Sequence, residues 1–277
     1  MSQLQLCRTD PLVAVIYDLF SANMVRVPDS RIRPLSVVVH RDGRSSFRGS
    51  LLPLLTEARA LGVRPATSEL TDVAGRRSRR VTLDLGLHIL RGFLKGFGLP
   101  SAEFASGLGS AAYLTFSFPA VRRVAYDVSA LGWALAGRCI DRQNPAAAVV
   151  FGQSRYELLL IDSVLTSSQI SVVFSSDQGQ HLNVDTSALN QMFASVGAQV
   201  NTSGDNDVEL TLKSAQDLTF AFTCVRLFLD LEGRITAMPP DNRLRTLGGD
   251  DESAARVRYS PDRVLLSDRP GLLSWDR

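Results

Sequence analysis

Three stretches of this chain alternate apolar and polar residues with a period of two, and that period fits a half-buried β-strand far better than a helix. In Ala112–Phe118, Leu114, Phe116 and Phe118 share one face, while Tyr113, Thr115 and Ser117 share the other. In Leu218–Val225, Phe220, Phe222 and Cys224 fall together, and Arg226–Leu231 extends the run. Val208–Leu212 alternates in the same way. Tyr156–Val164 and Gln169–Phe174 read as two strands separated by Thr166-Ser167-Ser168. Met24–Val27 reads as a strand ended by Pro28, and Leu35–His40 is a β-branched run before the turn signal Asp42-Gly43.

Helical signals are fewer and stand apart from the strands. Asp10-Pro11 combines an N-cap with a proline at the first helical position, followed by Leu12, Val15, Ile16 and Leu19 at helical spacing. Leu51–Leu55 reads as one apolar helical turn; Ser129–Ile140, a short piece from Asn144-Pro145, and Ser187–Val196 complete the set. The most informative helix is Leu85–Phe97. Leu87, Ile89, Leu90, Phe93, Leu94 and Phe97 fill one arc, and His88, Arg91 and Lys95 lie opposite. Such a face packs on a core, and its basic side also suits a membrane surface. Gly86, Gly92, Gly96 and Gly98 weaken it by about 1 kcal/mol each inside a helix. Strands in series with segregated helices predict an α+β fold rather than a βαβ repeat.

Charge is unevenly spread. The whole chain carries +2, but residues 1–100 hold 15 Lys and Arg against 8 Asp and Glu. Arg76, Arg77, Arg79 and Arg80 cluster within the polar stretch Thr56–Arg80, which reads as a solvated loop. Basic residues are not interleaved with stacking aromatics, so nucleic acid is not an expected partner.

The usual site signatures are missing. No GxxxxGK[ST], HExxH, GxSxG or EF-hand loop occurs. Gly107, Gly109 and Ala112 match a dinucleotide fingerprint but lie between a helix and a strand, in the wrong context. His40, His88 and His181 have no partner at metal spacing. Cys139 reads as a core thiol within a helix and Cys224 as one on a strand's apolar face. Three cysteines without a CxxC pair point to a reducing compartment. Met1–Leu6 lacks a secretory n-region, and no run approaches a membrane-spanning helix. No catalytic residue, metal or cofactor is expected.

Composition shifts after Ile235. Met238-Pro239-Pro240 stops the sheet pattern, and residues 241–258, with Gly248-Gly249 and Asp250-Asp251-Glu252, read as a linker. Tyr259, Val264, Leu265, Leu266, Leu272, Leu273 and Trp275 then return. Residues 259–277 are too few for a core of their own, so they are expected to dock on the body, residues 1–240. Within the linker, Leu247-Gly248 offers an extended, unobstructed bond to a protease, with Arg243 and Arg245 as trypsin-like alternatives.

Taken together, DPLVAVIYDLFSANMVRVP (10–28), LDLGLHILRGFLKGFG (83–98), YLTFSF (113–118), DSVLTSSQISVV (162–173) and FAFTCVRLF (220–228) resemble the bacterial gasdermins, in family order and over nearly the whole chain up to Ile235. The resemblance implies a twisted, mostly antiparallel central β-sheet with surrounding helices, and a short C-terminal peptide wrapped on the body. It also implies a cytoplasmic, inactive monomer cut in its linker by a caspase-like or trypsin-like protease. The freed body would then refold, oligomerise in the inner membrane and kill the cell in anti-phage defence. Arg76, Arg77, Arg79, Arg80, Arg91 and Lys95 are the expected membrane-facing cations. Tyr259, Leu265, Leu266, Leu272 and Trp275 are the expected autoinhibitory anchors. Cys7 is the expected S-acylation site, with palmitoyl as the chain and no other cofactor. Two other readings stand beside this one: a non-enzymatic interaction module regulated by its tail, and a hydrolase with a composite site. Dye leakage from liposomes after proteolysis separates the first reading from both.

Overall fold

The computed structural model describes residues 20, 22–41, 44–57, 59–71, 74, 75, 77, 78, 80–96, 111–151, 157–176, 199–202 and 207–237. The predicted helices at 10–21 and 187–196, the linker and the tail lie outside them, apart from Phe20 at the end of the first.

Among the described residues, eleven strands form one sheet: β1 (Asn23–Asp29), β2 (Ser36–Arg41), β3 (Arg44–Ser50), β4 (Ala66–Glu69), β5 (Val81–Thr82), β6 (Tyr113–Ser117), β7 (Arg122–Ala125), β8 (Glu157–Ser175), β9 (Gln199–Thr202), β10 (Asp207–Leu229) and β11 (Ile235–Ala237). The α-helices lying wholly among the described residues are α1 (Leu83–Gly96), α2 (Val128–Leu135) and α3 (Pro145–Ala148). Every pairing among the described strands is antiparallel.

The spine is the pair β8–β10, 19 and 23 residues long. The outer side of β8 takes β2 at Glu157–Leu160, β7 at Ser163–Thr166 and β6 at Ser171–Ser175. The outer side of β10 takes β9 near Val208, β1 near Phe222 and β11 near Phe228.

Sequence reading splits both spine strands in two, and the structure joins them. Ser167 carries β8 through the polar stretch. Its Oγ lies 2.6 Å from the Ala120 carbonyl and accepts the Gln169 N–H at 3.1 Å, so the local backbone stays satisfied through a kink. The irregularity is absorbed by β10. Gln169 pairs with Lys213 and Ser167 with Leu218, so residues 214–217 form an oversized bulge. A second irregularity leaves Asp162 as the extra residue between the pairs Ser163–Thr223 and Ile161–Cys224.

Other expectations are corrected in detail. β1 runs through Pro28 to Asp29, because the register jumps between Met24 and Asp29 and a proline needs no ladder partner there. The helix predicted to reach Ile140 stops at Leu135, followed by Gly137 at φ +75°. Cys139 is therefore not helical; it bridges to Arg234 and is half-buried, whereas Cys224 is buried as expected. The polar stretch Thr56–Arg80 hides the exposed edge strand β4.

Apolar side chains gather in three clusters. The largest lies under α1. There Phe118 stacks on Phe220 at 4.4 Å, and Phe20 meets both edge-on at 5.6 and 5.4 Å. Aromatic pairs in these geometries add to the gain from burial. Phe118→Ala is expected to cost about 3–5 kcal/mol, read as a lower urea midpoint; an unchanged midpoint would show that the stack is dispensable.

Candidate functional site

Below the bulge, the far half of the sheet is amphipathic across four strands. On β10, Val208, Leu210 and Leu212 alternate with Asp207, Glu209, Thr211 and Lys213. Register carries the pattern sideways. Leu210 pairs with Val172, Val208 with Phe174 and Leu212 with Ile170. Leu114 and Phe116 of β6 continue the apolar row against Phe174 and Val172; on β9, Val200 pairs with Leu210, while Thr202 opposite Val208 is a polar exception. The opposite face reads Thr211–Ser171–Ser117 in one row, with Ser171 Oγ 2.8 Å from Thr211 Oγ1. Glu209, Val173, Thr115 and Asn201 form the next row, where Val173 is the apolar exception.

α1 covers the apolar face. Leu87, Ile89, Leu90, Phe93 and Leu94 are all buried in the cluster that holds Leu114, Phe116, Ile170, Val172, Phe174, Leu210 and Leu212. At ~1.5–3 kcal/mol per side chain this is worth on the order of 10 kcal/mol, as an upper bound. Arg91 and Lys95 are exposed on the far side, as the helical arc predicts.

The helical glycines have a role that their spacing did not reveal. A Cβ on Gly86 would lie 2.8 Å from Leu114 Cβ, and one on Gly96 would lie 2.7 Å from the Pro28 carbonyl oxygen. Both positions let the helix backbone come down onto β6 and β1. The same glycines lower helix propensity, so α1 is held by its seat and not by its own tendency to coil.

The described part of the arginine cluster is not a free loop. Gly75 and Ser78 donate backbone N–H groups to the carbonyls of Phe118 and Phe116 at 2.9 and 2.8 Å, and Ser78 Oγ accepts the Phe116 N–H at 2.9 Å. Arg77 pairs with Ser117, and β5 continues along Leu114 and Tyr113 straight into α1. Residues 74, 75, 77, 78 and 80–82 thus form an irregular edge of the same half-sheet. Arg77 and Arg80 are exposed; Arg76 and Arg79 lie outside the described residues. Residues 74–96 carry six basic groups and one acidic group, Asp84.

Cys7, Leu247, Gly248, Tyr259, Leu265, Leu266, Leu272 and Trp275 also lie outside the described residues. Among the described residues, no cluster of His, Cys, Asp or Glu could hold a metal ion, and no helix is long and apolar enough to cross a membrane. What sequence reading missed was the registration. It found the alternation at 112–118 and 208–212 and a strand at 169–174 separately, but not that these runs pair with their apolar faces aligned.

A sequence model described as the Bacterial Gasdermin Family matches residues 25–234. A curated relative from Vitiosangium sp. (strain GDMCC 1.1324), gasdermin bGSDM, is 25% identical over 264 residues, covering 87% of this chain and 96% of its own. A second gasdermin bGSDM, from Lysobacter enzymogenes, is 25% identical over 247 residues and covers 87% of each chain. Among solved structures, a bacterial gasdermin from Bradyrhizobium tropiciagri superposes with a TM-score of 0.57 at 14% identity, covering 82% of this chain and 89% of that one. That likeness establishes the fold.

Gly86→Val should pry α1 from β6. The expected loss is about 1–3 kcal/mol, with increased binding of a hydrophobic dye. Gly132→Ala, at a helical position with open space around it, should be neutral or stabilising by up to about 1 kcal/mol. Equal effects of the two substitutions would contradict the close-approach role.

Proposed function

The chain belongs to the bacterial gasdermin family, and from that premise we propose that it is an autoinhibited, non-enzymatic pore former released by proteolysis. The observation that carries this reading is the four-stranded half-sheet with one apolar face, one polar face and a helical cover. Strands can cross lipid only when every backbone group is paired, which requires a closed barrel. Such a barrel shows apolar residues to lipid and polar ones to its lumen, in segments of about 9–11 residues. Seven residues of β8 (169–175) and seven of β10 (207–213) already have that alternation and register. Removing α1 from its seat would expose the lipid-facing side.

In this reading residues 259–277 hold the body at rest, with Tyr259, Leu265, Leu266, Leu272 and Trp275 buried against it. A caspase-like or trypsin-like protease cuts the 241–258 linker, with Leu247-Gly248 as the preferred bond. The monomeric, cytoplasmic form then passes to the inner membrane and assembles with copies of itself, and cell death limits phage spread. Arg77, Arg80, Arg91 and Lys95 meet anionic head groups, each basic residue near such a surface contributing about 1 kcal/mol. A palmitoyl chain on Cys7 adds affinity, at ~0.8 kcal/mol per buried CH₂.

The deciding experiment is dye release from anionic liposomes. The full chain, with a specific protease site inserted between Leu247 and Gly248, should be silent until cut and should leak afterwards. Intact liposomes after complete cleavage would end this reading. A chain stopped at Leu247 should be toxic when expressed, whereas harmless growth would remove the tail from the mechanism. Intact mass of protein from a bacterial host should show a long-chain acyl adduct that Cys7→Ala abolishes; an unmodified mass would refute the acylation.

A further inference from the structure

We propose that Asp207 and Glu209 line the aqueous conduit of the assembled pore and make it favour cations over anions. This rests on the pore reading above and adds the orientation and chemistry of the lumen wall.

The first observation is parity. Asp207, Glu209, Thr211 and Lys213 occupy the face of β10 opposite Val208, Leu210 and Leu212. The register aligns that face with polar positions on three neighbours: Ser175 and Ser171 on β8, Tyr113, Thr115 and Ser117 on β6, and Gln199 and Asn201 on β9. If this row faced lipid, it would carry two carboxylates and an ammonium into hydrocarbon. A basic side chain alone costs about 2–4 kcal/mol at the midplane of a barrel wall. The aliphatic row carries no such cost, so it takes the lipid side and the carboxylates take the water.

The second observation is charge. From residue 156 to residue 212 the chain has no lysine or arginine, but holds Glu157, Asp162, Asp177, Asp185, Asp205, Asp207 and Glu209. Those in the proximal half are already used. Glu157 pairs with Arg226 at 3.0 Å, and Asp162 is buried at its bulge, accepting the Thr223 hydroxyl at 3.0 Å. Glu209 instead is paired in register with neutral residues, Val173 of β8 and Asn201 of β9, and makes no ion pair among the described residues. Lys213 shares the row but stands four residues away from it, about 14 Å along a strand. It is one ammonium against two carboxylates, so the face stays net negative even at low salt, where the screening length of about 30 Å spans that gap. In a symmetric ring each subunit repeats the pair, and rings of Asp or Glu select cations.

The test uses the full chain with the inserted protease site, cut on planar bilayers of phosphatidylethanolamine and phosphatidylglycerol. Reversal potential is measured in a KCl gradient near 0.01 M, where the screening length reaches about 30 Å. The cleaved wild type should pass K⁺ over Cl⁻ by roughly twofold or more. Asp207→Lys with Glu209→Lys should invert the preference, and the near-isosteric Asp207→Asn with Glu209→Gln should bring it close to one. Glu232→Lys, in the exposed turn after β10, should leave it unchanged. The isosteric pair decides the matter if the lysine pair fails to fold. A conducting wild type without cation preference, or a preference unmoved by the isosteric pair, would overturn the inference and leave the pore reading standing. A cleaved wild type that never conducts would overturn the pore reading itself, and this inference with it.

Discussion

The seating of α1 on the alternating face of the far half-sheet is the contact on which the rest depends. The face exists because Ile170, Val172, Phe174, Leu210, Leu212, Leu114 and Phe116 come into register on three strands. Water would penalise so much aligned aliphatic surface, and α1 removes it from water. The helix is poorly suited to stand alone, since Gly86, Gly92 and Gly96 depress its propensity. Two of the same glycines let it approach closely enough to pack. A cover that is stable only when seated, over a surface that is stable only when covered, couples the two in one equilibrium.

The sheet is divided to match. Above the bulge at residues 214–217, β8 and β10 are clothed by β1, β2, β7 and β11, and their apolar residues fall on both faces. Below it, the same two strands carry apolar residues almost entirely on one face. The bulge is pinned from outside, with Asp217 held by Arg122 of β7 at 3.1 Å. Charge follows the same division. The edge and cover in residues 74–96 are basic, while the far part of β8 is uncharged and that of β10 holds only acidic groups up to Lys213.

Much of this was legible in the sequence. The arc of Leu87, Ile89, Leu90, Phe93 and Leu94 placed α1 and its buried side correctly, because helical periodicity is a local property. The period-two runs located β6 and parts of β10, and the strand-like runs at 156–164 and 169–174 located parts of β8, for the same reason. Their continuity was not legible. Thr166-Ser167-Ser168 has the composition of a turn, and only the Ala120 carbonyl, distant in sequence, lets Ser167 remain in a strand. The edge pairing of Gly75 and Ser78 was hidden likewise, since its partners are the backbone groups of Phe116 and Phe118. The Gly86 and Gly96 contacts depend on where Leu114 and Pro28 come to lie, which a glycine's own surroundings in sequence do not disclose. The family resemblance agrees with the match over residues 25–234.

The central claim is that the far half-sheet enters the membrane with its present parity. It is tested most directly by single fluorescent labels placed in turn at positions 208 to 213 of the full chain, read after linker cleavage on liposomes. The account predicts a period of two: labels at 208, 210 and 212 quenched from the lipid phase, and labels at 209, 211 and 213 quenched by aqueous iodide. A uniform response along the strand, or quenching only by iodide at every position, would contradict it.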